Sequence, residues 1–71
     1  MTYDEAKARA ENIVYVDMTE GAIMTACDAE GFKYRTKKNG HFAPSERSRC
    51  EEYLIEIFTN RYLSGGMERV K

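Results

Sequence analysis

The sequence is poor in the residues from which most catalytic and metal sites are built. It has one histidine, His41, and two cysteines, Cys27 and Cys50, among 71 residues. These lack the paired spacing of a structural zinc site, and three ligands would leave a tetrahedral site open. Around His41 the neighbouring charges are positive and the nearest acid is Glu46, so an orienting carboxylate and a nucleophile are missing. We therefore expect no enzyme, no metal and no cofactor, and we interpret His41 as an exposed turn residue.

Longer motifs are missing as well. There is no glycine-rich phosphate loop, no dinucleotide fingerprint and no nucleophile elbow, so nucleotide binding and hydrolase chemistry have no support. The longest apolar run covers residues 13–16, far below the roughly 20 residues of a membrane span, and we expect no membrane partner. Asp4 and Glu5 stand where a secretory signal is basic, and small secreted domains usually carry several disulfides. We expect a cytoplasmic chain whose two thiols are reduced and buried as small hydrophobes.

Length and composition indicate one small folded domain. The chain is 42% hydrophobic and 32% charged, which is typical of globular proteins. A chain this short buries only about 60% of its unfolded surface, so its stability is expected to be marginal. Because Gly65 and Gly66 end the last apolar pattern, we place the domain over residues 1–66 and a frayed tail over residues 67–71.

The N-terminal segment has the signature of a helix start. Thr2 and Glu5 form a capping box, in which the threonine oxygen accepts an amide of the first turn and the glutamate reaches back to the cap. A helix is therefore predicted from about Tyr3, with one buried face whose residues recur at spacings of three and four: Tyr3, Ala6, Ala10, Ile13 and Val14. The β-branched run over residues 13–16 either continues this helix or begins a short strand, because branched side chains lose rotamer freedom in a helix.

A second helix is predicted over residues 18–30. Asp17 followed by Glu20 repeats the capping signature, with aspartate as the cap. Gly31 offers the left-handed conformation in which helices commonly end. The apolar stripe of this helix consists mainly of small residues, which let a neighbouring element approach closely.

The segment after the second helix carries the pattern of a β-hairpin. Residues 32–37 alternate between two faces, and Asn39 and Gly40 follow as a strong turn signal. If the hairpin had a two-residue loop of Asn39 and Gly40, Phe42 would lie on the same face as the basic side chains of the first strand. A three-residue loop, with Gly40 in the left-handed conformation, pairs Thr36 with Phe42 and joins that ring to the aromatic face. We therefore predict the three-residue register.

The last helix has the longest apolar stripe. Ser45 or Ser48 caps it, and Ser48 is favoured because Glu51 lies at the third position. We assign Leu54 and Ile57 to the core. The full stripe comprises Cys50, Tyr53, Leu54, Ile57, Phe58, Arg61 and Tyr62. With the hairpin packed on this helix, the prediction is a small α+β domain in the order helix, helix, β-hairpin, helix.

Positive charge is concentrated in the second half of the chain. Residues 1–31 hold seven acids and two bases, whereas residues 32–71 hold nine bases and five acids. Six bases lie close together in sequence with one acid among them: Lys33, Arg35, Lys37, Lys38, Arg47 and Arg49. This basic patch predicts an anionic partner and resembles a nucleic-acid-binding wing in charge alone. The helix before it is acidic, which does not suit a helix that reads the major groove.

A second candidate surface is apolar and would suit a protein partner. Tyr15, Val16, Ile55 and Tyr62 lie off or at the margins of the stripes assigned to the core, and tyrosine is a frequent interface anchor. We therefore expect a non-enzymatic protein-binding module, a small regulator or inhibitor of a larger complex. Phages and mobile elements encode many such proteins, including polymerase inhibitors and anti-CRISPR proteins, although no motif assigns this chain to them. The alternative is a small nucleic-acid-binding protein that uses the basic hairpin, and a homodimer is compatible with either.

Overall fold

The computed structural model describes residues 1–65, and this part of the chain is mainly helical. Helix α1 covers Tyr3–Asn12, a π-helical turn covers Ile13–Asp17, helix α2 covers Glu20–Glu30 and helix α3 covers Glu46–Leu63. Residues 1–65 contain no strand or hairpin, so the predicted α+β class is wrong. The predicted frayed tail lies outside the described residues.

Helix α1 begins as its capping box predicts. The Glu5 amide donates to Thr2 Oγ1 at 3.2 Å, and the Thr2 amide donates to Glu5 Oε1 at 2.9 Å. The helix then passes directly into the π-helical turn, where the Met18 amide bonds the Ile13 carbonyl five residues earlier at 3.0 Å. The β-branched run is therefore helical, and the wider turn buries Val14 while it leaves Tyr15 and Val16 exposed.

Helix α2 begins two residues later than predicted. Thr19 is its N-cap, and the hydroxyl of Thr19 accepts the Ala22 amide at 3.1 Å. The predicted Asp17 cap is wrong because Asp17 still belongs to the π-helical turn. Gly31 ends α2 in the left-handed conformation, with φ of +76°, as predicted.

The loop between α2 and α3 contains one pair of bridged residues in place of the predicted hairpin. Thr36 pairs with Phe42 in a single isolated β-bridge, which is the pair that the three-residue register predicts. Gly40 adopts the expected left-handed conformation, with φ of +88°. The rings of Tyr34 and Phe42 meet edge to face at 5.2 Å, so the predicted contact between these aromatic residues is present.

The amides of Lys37 and Ala43 bond across the bridge, but the bridge does not extend into strands because the other two neighbouring amides bond elsewhere. The next amide on one side belongs to Arg35, and it donates to Glu46 Oε1 of α3 at 3.2 Å. On the other side the His41 amide donates to Asn39 Oδ1 at 3.0 Å. Both bonds replace rungs of an antiparallel ladder, so pairing stops after one bridge.

Helix α3 packs against both other helices, and this arrangement determines the core. The fully buried apolar residues are Ala6, Ala10, Val14, Ile23, Cys27, Cys50 and Leu54. Leu54 is a core residue as predicted, but Ile57 is only half-buried whereas Ile55 is 7% exposed. A single stripe could not predict this, because both α1 and α2 pack against α3.

The start of α3 also differs from the prediction. The helix begins at Glu46 with Ser45 at the N-cap, so the favoured Ser48 cap is wrong. The Ser45 side chain makes no capping hydrogen bond, and its backbone is left-handed with φ of +70°.

Further along α3, the ring of Tyr53 stacks on Phe32 at 4.2 Å between centroids. The aromatic residues of the loop therefore pack on α3 even though no hairpin forms.

Candidate functional site

The predicted basic patch is partly neutralised by a buried carboxylate. The side chain of Glu46 is only 3% exposed and lies 3.2 Å from the Arg35 guanidinium and 2.6 Å from that of Arg49. The Arg35 amide also donates to Glu46, and this hydrogen bond is the main reason why the pKa of Glu46 lies below its usual value. The Arg49 guanidinium lies over the ring of Phe32 as well, at 5.1 Å. Two of the six bases are thus held by contacts within the chain.

The remaining bases of the patch differ in their partners. Arg47 pairs with Glu51 at 3.2 Å, one turn further along α3. Lys33, Lys37 and Lys38 are exposed and make no ion pair with any of residues 1–65. The surface available to an anionic partner is therefore reduced from six bases to these three lysines of the loop.

Glu20 connects the same loop to the start of α2. Its Oε1 lies 2.6 Å from His41 Nδ1, and its Oε2 accepts the Phe42 amide at 3.2 Å. The contact with His41 is the main cause of the lowered pKa of Glu20, and the Phe42 amide adds to it. His41 is exposed as predicted, but sequence reasoning missed this tether because its partners lie about twenty residues apart.

The two cysteines are buried in the core and carry no reactive thiolate. Cys27 and Cys50 are both free, and Cys27 Sγ lies 4.0 Å from the Cys50 carbonyl oxygen. Burial raises the pKa of Cys27 to about 12 and also raises that of Cys50. Both thiols stay protonated at neutral pH, as packing residues do. In the described part of the chain, no three His, Cys, Asp or Glu side chains come together in a way that could hold a metal ion.

The four predicted interface residues do not form one patch. Tyr15 and Val16 are 54% and 71% exposed, as the prediction requires. Ile55 is buried, so its assignment to an exposed surface is wrong. Tyr62 is half-buried, and the Arg9 guanidinium lies 6.0 Å from its ring centroid.

An open groove of about 580 Å³ lies between α1, the π-helical turn and α3. We call it the α1–α3 groove. One wall consists of residues four positions apart, which share one side of a helix: Tyr3, Lys7, Glu11 and Tyr15. Glu52 and Glu56 of α3 form much of the opposite wall. Ile55 and Thr59 lie buried between the walls, and the Thr59 hydroxyl donates to the Ile55 carbonyl at 2.6 Å.

Sequence reasoning assigned Tyr3 to the buried face of the first helix, but this residue is 58% exposed at the groove. The signal that could have identified the wall is the regular spacing of four between Tyr3 and Tyr15. The acidic character of the groove carried no such signal, because its carboxylates come from two helices that are distant in sequence, Glu11 from α1 and Glu52 and Glu56 from α3. Only the packing of α1 on α3 brings the two walls together.

The carboxylates of the α1–α3 groove differ from the other glutamates of the described chain. Those elsewhere each have a hydrogen-bond partner within the chain: Glu5, Glu20, Glu30, Glu46 and Glu51. Within residues 1–65, Glu11, Glu52 and Glu56 have no such partner. With Lys7 as the only base of the lining, the groove is acidic and its charges are available to a ligand.

Among residues 1–65, no helix is long and apolar enough to cross a membrane. Comparison of the chain with protein-family models, with curated proteins and with solved structures found no match. The functional proposal is therefore based on the geometry and charge of the surface.

Proposed function

We propose that this chain is a non-enzymatic protein-binding module that acts in the cytoplasm and holds a segment of a partner protein in the α1–α3 groove. The observation that carries the proposal is the pair of exposed tyrosines on one wall. Tyr3 and Tyr15 are each more than half exposed, although both line a concave surface whose base contains the buried Ile55. Exposed aromatic side chains beside a concave surface are typical of protein-binding sites.

Tyrosine suits this role for physical reasons. Its ring offers a large contact area with few rotatable bonds, so it loses little conformational entropy on binding, and its hydroxyl can still form a hydrogen bond. Val16 follows Tyr15 and is the most exposed of the large apolar residues named for this surface, at 71%. Burial of these exposed side chains by a partner would favour association, because apolar area removed from water contributes about 25 cal/mol per Å².

A small module of this kind would act as a regulator or inhibitor by occupying a surface of a larger complex. A contact confined to the α1–α3 groove leaves helix α2 and the loop with its lysines free, since neither contributes to the lining. Such a one-sided contact requires no chemistry from the chain itself. A homodimer would use the same face, and the experiments below separate the two cases.

Nucleic-acid binding is the second candidate, and the observation that favours it is the exposure of Lys33, Lys37 and Lys38. Lysines that form no internal ion pair can neutralise phosphates and release counterions. The candidate is weaker than protein binding because the three arginines of the basic patch already contact carboxylates of α3. The acidic groove would also repel a nucleic acid that extended towards it.

Site-specific photocrosslinking tests the main proposal. A photoreactive phenylalanine analogue is placed at Tyr15 in the tagged full chain, expressed in its own host, and at the exposed Ala29 of α2 as a matched control. We expect a discrete protein adduct from position 15 and none from position 29. Equal labelling from both positions, or recovery of nucleic acid alone, would contradict the proposal.

Salt-dependent binding to DNA and RNA tests the second candidate. Fluorescence anisotropy is measured at about 50 mM and about 200 mM salt, since an affinity that rests on phosphate contacts falls steeply over this range. The control is the chain with Lys33→Gln, Lys37→Gln and Lys38→Gln. We expect no salt-sensitive binding by the parent. Tight binding that weakens with salt and is lost in the triple variant would favour the nucleic-acid function.

A further inference from the structure

We infer that the occupant of the α1–α3 groove is a basic amphipathic helix of the partner protein. The inference rests on the proposed function and adds the chemistry of the partner. It follows from three features of the groove, which are its charge, its length and the helical spacing of the residues that line it.

The charge of the groove selects a cationic partner. Glu11, Glu52 and Glu56 face one base, Lys7, and none of the three has a hydrogen-bond partner within residues 1–65. Lysine or arginine side chains of a partner would pair with these carboxylates at the rim, where each exposed ion pair adds modestly to affinity and more strongly to specificity and association rate. A partner with acidic side chains at these positions would be repelled.

The length of the groove fits about three helical turns. Tyr3 and Tyr15 lie twelve positions apart on nearly continuous helix. At 1.5 Å per residue, this separation is about 18 Å. A partner helix of about 12 residues would therefore contact both tyrosines and pass the three carboxylates between them.

The shape of the groove favours a helix over an extended peptide. Ile55 and Thr59 lie four positions apart along α3, so the buried base of the groove is a narrow stripe along a helix. The exposed rings of Tyr3 and Tyr15 beside this base offer apolar contact to one face of another helix, whose side chains recur at the same spacing of three or four residues. An extended peptide usually adds to a sheet edge, and the described residues offer only one isolated bridge at the far loop.

A second copy of the chain does not provide this occupant. Among residues 1–65, three of the four lysines without an internal ion pair lie on the loop between α2 and α3, and the fourth, Lys7, already lines the groove itself. Helix α2 carries three acids and no base. Self-association is therefore an outcome of the test and not part of the inference.

Synthetic peptides of about 14 residues, long enough to cover the ~18 Å groove, test the inference with defined probes. The first combines leucine at helical spacing with lysine on the polar face. The second replaces each lysine with glutamine, and the third keeps the composition of the first but scrambles the leucine spacing. Binding of the full chain to each labelled peptide is measured by fluorescence anisotropy near physiological salt. We expect the first peptide to bind at least tenfold more tightly than either of the others.

A pair of charge-matched variants localises the site. Glu11→Gln, Glu52→Gln and Glu56→Gln together should weaken binding of the basic peptide about tenfold, roughly a factor of two for each exposed pair. The control variant removes three acids from outside the groove: Asp17→Asn, Asp28→Asn and Glu30→Gln. Its binding should change less than threefold, because none of these three acids lines the groove. The peptide series tests charge on the unaltered protein, so the inference stays testable even where a variant folds poorly.

Each contrary result identifies what has failed. Equal losses in the two variants would overturn the inference, because net charge and not the groove would then drive binding. Binding of the glutamine peptide as tight as that of the lysine peptide, weakened by Tyr3→Ser with Tyr15→Ser, would overturn the basic occupant and leave the protein-binding groove in place. Concentration-dependent dimers in sedimentation velocity that disappear in the triple glutamine variant would overturn the inference in favour of a second copy. Absence of peptide binding together with absence of crosslinks from Tyr15 would remove both the inference and the proposed function.

Discussion

Leu54 is the residue through which the packing of α3 is tested most directly. It is fully buried in the cluster that α3 forms with the other helices. Leu54→Ala removes three carbon atoms, and at about 0.8 kcal/mol for each buried methylene the transfer part of the loss is about 2.4 kcal/mol. The cavity left behind raises the total to about 2.5–5 kcal/mol.

A loss of this size is large for so small a chain. At roughly 0.05–0.15 kcal/mol per residue, a chain of 71 residues has a free energy of unfolding of about 4–11 kcal/mol. The variant should therefore be near the limit of folding. Its melting temperature should fall by at least about 10 °C, since 1 kcal/mol corresponds to about 4–8 °C in domains of this size.

Urea denaturation followed by far-ultraviolet circular dichroism provides the measurement, with two controls. Leu54→Met keeps the volume and should cost less than about 1.5 kcal/mol. Ile57→Ala removes a half-buried side chain and should cost less than Leu54→Ala, with an unchanged dependence on urea concentration. If Ile57→Ala proves the more damaging of the two, α3 is rotated about its axis and the core assignment is wrong.

Three further predictions concern the loop, the buried carboxylate and the thiols. Gly40→Val should cost about 1–2 kcal/mol, because the backbone is left-handed while the space around it is open, and a melt identical to that of the parent would contradict the turn. Glu46 has a pKa below its ordinary value of 4.5, so its contribution to stability should be fully present above pH 4.5 and lost as pH falls through the lower folded value. The parent should therefore lose more stability in acid than Glu46→Gln, and parallel pH profiles would argue against this. Cys27 and Cys50 should react slowly with alkylating reagents in the native chain and quickly after unfolding, whereas rapid native labelling would show that they are accessible.

Features that depend on neighbours within about four residues could be predicted from the sequence. The capping box at Thr2, the left-handed end of α2 at Gly31 and the left-handed Gly40 all appear in the structure as expected. Each results from hydrogen bonds or steric limits within one turn of chain. A local prediction can still fail when a nearby residue is able to cap the same helix. Thr19 is the N-cap of α2, in place of the predicted Asp17.

The loop between α2 and α3 shows where local signals stop being sufficient. Its alternating sequence predicted both a hairpin and the pair of Thr36 with Phe42, and only the pair is present. Glu46 belongs to the following helix, yet it accepts the Arg35 amide that a ladder would need. No pattern within the loop could reveal this bond, because the carboxylate reaches Arg35 only once α3 is packed in place.

The candidate site also combines features that a single helix determines with features that only the packing of the helices determines. The exposure of Tyr15 and Val16 followed from their position off the apolar stripe, which is a property of one helix. The burial of Ile55 and the acidic character of the α1–α3 groove were decided by the tertiary structure alone. A single helical pattern defines which residues share a face, but the number of helices packed around α3 determines how many of its faces are buried. The groove exists only where two such faces meet.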